Sequence, residues 1–344
     1  MTPLVTTRCI GLDLIRVFAV FFVIAGHFFI NTDFGKDSFG GWEMILLAAG
    51  RRLFSVSVPL FLIITGYLNI NKKLSRKYYY GGIRVIVSYV LISLITILFL
   101  IYYKHEDLTV GQWILKITDF SAISYGWYIE MWIGLFLLIP FLNVMWHSLE
   151  TQRNRIVLIG TLLLLSALPS FVNRPSIQLL PDFWTFMYPV LFFYIGAYIR
   201  QYQPVIKSHL ILMALVFLCM ANPLINIFLN KGGGISPGNP FAIIGVLISA
   251  LFFIGFYRIQ IYNKAIRSII EKVAICSLDM YLVSYMFDII CYKKFQCYIV
   301  NGDYLSGFAA IVSCVFLCSF AFAWFKDFIF KKFRSFIGHC ALFN

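Results

Sequence analysis

Apolar residues recur in runs of about 20, separated by short polar turns rich in Gly and Pro, and this alternation is the main pattern of the 344-residue chain. A helix rises about 1.5 Å per residue, so a run of this length matches the roughly 30 Å hydrocarbon core of a bilayer. The pattern predicts ten helices, over about 10–30, 53–70, 79–103, 125–147, 155–172, 183–200, 208–230, 239–257, 273–292 and 304–325. Strands of a membrane barrel would instead alternate over about ten residues. No short cleavable signal region precedes the first run, which is therefore expected to stay in the mature protein. Turn signals stand at Pro175, Pro181, Pro204 and along "KGGGISPGNP" from Lys231 to Pro240, and no connection could hold a separate globular domain. The expectation is an all-α, polytopic integral membrane protein with a single domain over residues 1–344 and no convincing internal repeat of the kind found in many transporters.

Composition agrees with that pattern. Hydrophobic residues make up 61% of the chain and charged residues 12%, about half the charged share of soluble domains. With the N terminus inside, seventeen Lys and Arg fall on the cytoplasmic side, among them Arg8, Lys72, Lys73, Arg76 and Lys77, against nine on the other, among them Lys36, Arg51 and Arg52. That asymmetry predicts both termini in the cytoplasm. It also accounts for the net charge of +13 as basic loops beside anionic lipid, so the partner implied is the bilayer and nucleic acid needs no part in it. The eight cysteines lie mostly in or beside apolar runs without CxxC spacing; they read as small hydrophobes, with neither a disulfide nor a metal implied.

Against this background the ionisable residues inside apolar runs carry the information, because each costs several kcal/mol in hydrocarbon. The first run, "GLDLIRVFAVFFVIAGHFFI" from Gly11 to Ile30, holds Asp13, Arg16 and His27. Arg16 and His27 are 11 residues apart, three helical turns plus about 20°, so both leave one face about 16 Å apart along the axis. Asp13, three residues before Arg16, shares that face and could hold the guanidinium. His27 is either an interhelical hydrogen-bonding residue or a base, since imidazole titrates near neutral pH. In "RRLFSVSVPLFLIITGYL", Arg51 and Arg52 reach roughly the depth of His27, as interfacial anchors or as part of a polar cluster, the second if a longer helix from Trp42 buries them. "SYGWYIEMWIGLFLLIPFLN" places Glu130 about one turn from an aromatic interface, and Gly196 and Ala197 of "YPVLFFYIGAYIR" invite close helix packing. Asp279 and Asp288, nine residues apart in one run, fall on opposite faces and are not expected to form one acid pair.

Arg, ten residues and His in the first run, preceded by "GLDLIR", resembles the opening signature of acyltransferase family 3, the bacterial integral-membrane acyltransferases. "VPLFLIITGYL", with Thr65 in a serine place, "WYIEMWIGLFLLIPFL", "YIGAYI" and "DMYLVSY" are similar to later segments of that family, in the same order over nearly the full length. Two positions depart from it: Gly126 stands where the family often has His before Trp, and Ser284 where it often has the His of Tyr-Leu-x-His. The resemblance implies a multi-pass protein of the bacterial inner membrane. Its reaction would be transfer of an acyl group, most often acetyl from acetyl-CoA, to a hydroxyl of a surface polysaccharide or its lipid-linked precursor. In that scheme Arg16, with Asp13 and inner-face lysines, would bind the donor. His27 would act as base or transient acyl carrier, Arg51 or Arg52 would stabilise the oxyanion, and Glu130 would be the next acid-base candidate; no metal is implied. A flippase of lipid-linked sugars without covalent chemistry, or a sensor whose polar residues merely pack, are the competing readings.

Overall fold

The computed structural model describes residues 8–32, 34, 41–173, 177–228 and 239–340; Lys36, Pro175 and residues 231–238 of the glycine-rich turn lie outside them. Among the described residues there is no strand. The helices are α1 (Ile10–Asn31), α2 (Trp42–Phe54), α3 (Ser57–Asn69), α4 (Arg76–Lys104), α5 (Val110–Thr118), α6 (Trp127–Ser148), α7 (Gln152–Leu162), α8 (Pro169–Val172), α9 (Tyr188–Tyr202), α10 (Ser208–Phe228), α11 (Ile243–Phe256), α12 (Lys264–Lys294), α13 (Gln296–Val300) and α14 (Tyr304–Cys340). Among the described residues seven stretches are long and apolar enough to cross a membrane: α1, α2 with α3, α4, α6, α10, α12 and α14. The predicted segments at 155–172, 183–200 and 239–257 are helical too, but as α7 with α8, α9 and α11, each shorter than that measure.

Local chemistry sets the boundaries. Side chains of Ser75, Thr151 and Asn263 accept backbone N–H groups at the starts of α4, α7 and α12, while His105 and Gln203 end α4 and α9 in the left-handed region at φ 56° and 46°. The segment expected at 53–70 begins instead at Trp42, with a break at Ser55 and Val56. Pro59 explains the break: it lacks the N–H that would bind the Ser55 carbonyl, yet it fits the first turn of a new helix. The helix from Trp42 carries Arg51 and Arg52 in its last turn. The nine-residue α5 is absent from the sequence expectation because it is too short to show a span.

α1 packs against α12, α3, α2, α14 and α11, which makes it the central helix. Lys326 on α14 ties the bundle together at one end, its Nζ lying 2.6 Å from Asp279 Oδ1 of α12 and 2.8 Å from Ser88 Oγ of α4. The closest crossing joins α3 to α9: a Cβ at Gly66 would lie 1.9 Å from the Phe193 carbonyl oxygen, and one at Gly196 2.1 Å from that of Ile63. Backbones approach this closely only where both faces lack side chains. Gly66→Ala is therefore expected to destabilise the protein by about 1–3 kcal/mol, as overpacking does. The check is the unfolding midpoint in detergent, with Gly134→Ala, which meets nothing within 4 Å, leaving it unchanged.

Candidate active site

His27 lies in the penultimate turn of α1, 8% exposed, where α12 crosses. That crossing sets the Asp288 carboxylate, itself 3% exposed, with Oδ2 3.4 Å from His27 Nδ1. A buried carboxylate is tolerated only when charge or hydrogen bonds compensate its lost hydration. Here Tyr125 contributes: its hydroxyl donates to the same Oδ2 at 2.7 Å, and its ring stacks on the imidazole at 3.5 Å between centroids with 21° between planes. Tyr125 is itself held, since its hydroxyl accepts from Asn31 Nδ2 at 3.4 Å and its carbonyl accepts from the Tyr281 hydroxyl. The 3.4 Å approach is an ion-pair distance and not a hydrogen bond, and His27 Nδ1 and Asp288 Oδ1 make no hydrogen bond to the described residues.

The imidazole borders a cavity of about 550 Å³, lined among others by Asn31, Arg51, Ser57, Tyr125, Trp127 and Phe241. Val23, Val58 and Tyr281 also line a second cavity, of about 290 Å³, together with Arg16, Thr65 and Asn69. Thr65, Asn69 and Trp132 in turn line a third, of about 580 Å³, whose rim carries Lys72, Lys73 and Lys77. Shared wall residues thus set a lysine-rimmed cavity (the mouth), a mostly apolar one at Arg16 (the throat) and the chamber at His27 side by side in series. The turn carrying Lys72 and Lys73 is fixed from α6, where Asn143 Nδ2 donates to the carbonyls of Asn69 and Lys72 at 2.8 and 2.7 Å. A larger cavity of about 770 Å³, between Pro169 and Met187, has Asp182 as the one titratable wall residue among the described residues, and the oxygen and nitrogen of its Asn173 are bound within the adjoining loop.

The expected residues divide between site and scaffold. Asp13, 1% exposed, bridges two arginines: it accepts from Arg16 Nη1 at 2.8 Å and from Arg8 Nε. Arg51 faces the His27 chamber and donates from Nη1 to the Phe34 carbonyl at 3.1 Å. Arg52 is buried close to Cys219 and lines none of the three cavities. Glu130 is exposed on α6 and likewise lines none of them, so the structure does not bring it to His27. Asp279 and Asp288 take separate partners, Lys326 and Tyr125 with His27, as opposite helix faces require. Asp288 and Tyr125 are the site residues that sequence reasoning did not assign; the available signal was a carboxylate inside an apolar run. Among the described residues no three His, Cys, Asp or Glu converge as metal ligands do.

The departure from the family pattern at Gly126 has a steric reason. A Cβ at Gly126 would lie 2.3 Å from the Phe120 carbonyl oxygen and 3.0 Å from that of Ile123, so no side chain fits there. Ser284 is fully buried and donates to the Tyr281 carbonyl, and Asp288 follows one turn later on the same helix. The family model described as an acyltransferase domain matches residues 10–325. No curated protein and no solved structure matches the chain.

Proposed function

The chain belongs to the acyltransferase-domain family and is a membrane acyltransferase, and from that premise we propose that it moves acetyl from acetyl-CoA to a hydroxyl of a surface polysaccharide or its lipid-linked precursor. One observation supports this reading: His27, with Asp288 beside it, borders a chamber that shares wall residues with the cavity at Arg16, which in turn shares wall residues with a lysine-rimmed one. The dimensions and charges suit the donor in order. Lys72, Lys73 and Lys77 offer positive charge to its phosphates, the throat accepts the thin pantetheine arm beside Arg16, and the thioester then reaches His27. Thr65 and Asn69, which line both mouth and throat, are polar side chains at the depth where that arm carries its amides.

In the direct route, His27 Nε2 takes the proton of the acceptor hydroxyl as its oxygen attacks the thioester carbon. The tetrahedral intermediate collapses, the carbon–sulfur bond breaks, and the imidazolium returns the proton to the departing thiolate. Asp288 stabilises the imidazolium between those steps, and Arg51, in the same chamber, is the cation available for the oxyanion. Arg52 and Glu130 take no part in this scheme. For topology, α7 with α8, α9 and α11 would complete ten crossings with both termini cytoplasmic, in the bacterial inner membrane; basic residues at the starts of α4 and α12 fit that side.

The decisive test is mass spectrometry of surface glycans from cells with and without the protein. A shift by one acetyl unit is expected; movement of an unmodified lipid-linked sugar would make the chain a flippase. The donor-binding arm has its own check. Arg16→Lys is expected to raise the KM for acetyl-CoA at least tenfold, because an ammonium cannot reproduce the fork that Asp13 holds in place. Unchanged KM in proteoliposomes would remove Arg16 from donor binding.

A further inference from the structure

Glycine weakens a helix interior relative to alanine, so a glycine kept there marks a place where a side chain is excluded or space is needed. At Gly11, Gly66 and Gly196 a side chain is excluded, because an added Cβ would lie 2.5, 1.9 and 2.1 Å from a carbonyl oxygen of a neighbouring segment. Gly26, in the turn of α1 that carries His27, has no such contact. Beyond its own turn, a Cβ there would meet one atom of the described residues within 4 Å, the Phe54 carbonyl oxygen of α2 at 3.9 Å. Gly81, Gly134 and Gly160 have as much room but are exposed, whereas Gly26 is partly buried and lines the His27 chamber.

The groups around Gly26 are apolar. At 100° per residue, Val23 and Ile30 leave α1 within about 60° of Gly26, and both line the chamber, as do Phe54 of α2 and Val58 of α3. Val23 and Val58 are wall residues of the throat as well. A thioester donor whose phosphates rest at the lysine rim extends inward acyl end first, so its acyl group is the part that lies past Val23 and Val58 when the carbonyl reaches His27. An alkyl chain gains by leaving water for such a wall, whereas a sugar would bury hydroxyls against it without partners.

We infer that Gly26 sets the length of the acyl group that this chain transfers, by leaving beside His27 an apolar niche that admits propionyl and butyryl as well as acetyl. This selectivity rests on the acyl-transfer function proposed above and extends its donor from acetyl-CoA to short-chain acyl-CoA. A methylene fills roughly 30 Å³, the share of one water molecule in the liquid, so butyryl adds about 60 Å³ to acetyl. That is a small part of the chamber, about 550 Å³, which also admits the acceptor hydroxyl. The bonds exchanged are those of the acetyl reaction. The acyl carbon leaves the CoA sulfur for the acceptor oxygen, and the hydroxyl proton passes through His27 to the departing thiolate.

The test presents the full chain, in membranes of the expressing cells, with acetyl-, propionyl- and butyryl-CoA, each labelled at the acyl carbonyl, and reads label incorporated into membrane glycan. The parent chain is expected to transfer all three. Gly26→Val is expected to lower the butyryl-to-acetyl ratio of kcat/KM at least about tenfold, the discrimination an apolar pocket achieves over a methylene. Gly26→Ala, whose methyl sits at ordinary contact distance from the Phe54 carbonyl, should lower it by less. The ratio is independent of how much protein inserts, because both donors report on the same folded molecules. If Gly26→Val transfers nothing, the ratio in Gly26→Ala decides. A parent that transfers acetyl but neither longer group, or a ratio unchanged by the variants, overturns the niche and leaves acetyl transfer standing. An unchanged ratio with a raised KM for the glycan would give the space at Gly26 to the acceptor. A parent that transfers no acyl group from any donor overturns the function itself, and the selectivity with it.

Discussion

His27→Gln is expected to reduce acetyl transfer by about a hundredfold to ten-thousandfold, the usual loss when a general base is removed, while the protein remains folded. Glutamine can still donate and accept hydrogen bonds between α1 and α12, but its amide does not take up a proton near neutral pH. A packing role for His27 therefore predicts rescue by the amide, and a chemical role predicts none. The measurement is transfer from labelled acetyl-CoA in membranes, normalised to inserted protein, with the unfolding midpoint as control. Near-normal turnover would remove His27 from the reaction, and with Glu130 exposed on α6 no other carboxylate or imidazole among the described residues borders the chamber to replace it.

The second large effect belongs to Asp288, which acts through His27. Asp288→Asn keeps the shape and a hydrogen-bonding oxygen for Tyr125 but removes the negative charge that would stabilise the imidazolium formed in the proposed reaction. Arrangements of this kind lose up to about ten-thousandfold in turnover on the same change. Turnover should fall with the KM for acetyl-CoA unchanged, because the donor's phosphates are expected at the lysine rim, beyond Arg16, which is itself about three helical turns away. Tyr125→Phe separates the contributions: it keeps the ring on His27 but deletes the hydroxyl bound to Asp288 Oδ2. A smaller loss than for Asp288→Asn is expected. Equal stability and full turnover in Asp288→Asn would reduce the pair to a packing contact.

What the sequence could and could not convey follows from distance along the chain. Helix identity depends on local hydropathy, and the shared face of Arg16 and His27 depends on rotation within a single helix, so both were readable. Which residue meets His27 depends on where α12 crosses α1, some 260 residues later, and no local period encodes that crossing. Adjacent residues on a helix differ by 100°, which is why depth alone could not choose between Arg51, facing the chamber, and Arg52, turned toward Cys219. Glu130 illustrates the same limit: its direction around α6, toward the exposed side, was not available. Hydrophobicity located α3 and α9 and Gly196 pointed to close packing, whereas its partner at Gly66 emerged only from the crossing.

The tight turn before α6 also bears on how this chain could change over time. A histidine at position 126 would put its Cβ into the Phe120 and Ile123 carbonyls, so acquiring one by a single codon change would displace the loop that delivers Tyr125 to Asp288. An ancestor carrying that histidine and a descendant relying on Asp288 would therefore be separated by a valley in fitness, crossed only if the 119–126 loop and the partner of His27 changed together. Hybrid enzymes made by exchanging α6 with its preceding loop as one block should cross that valley, whereas exchange of the single residue should not.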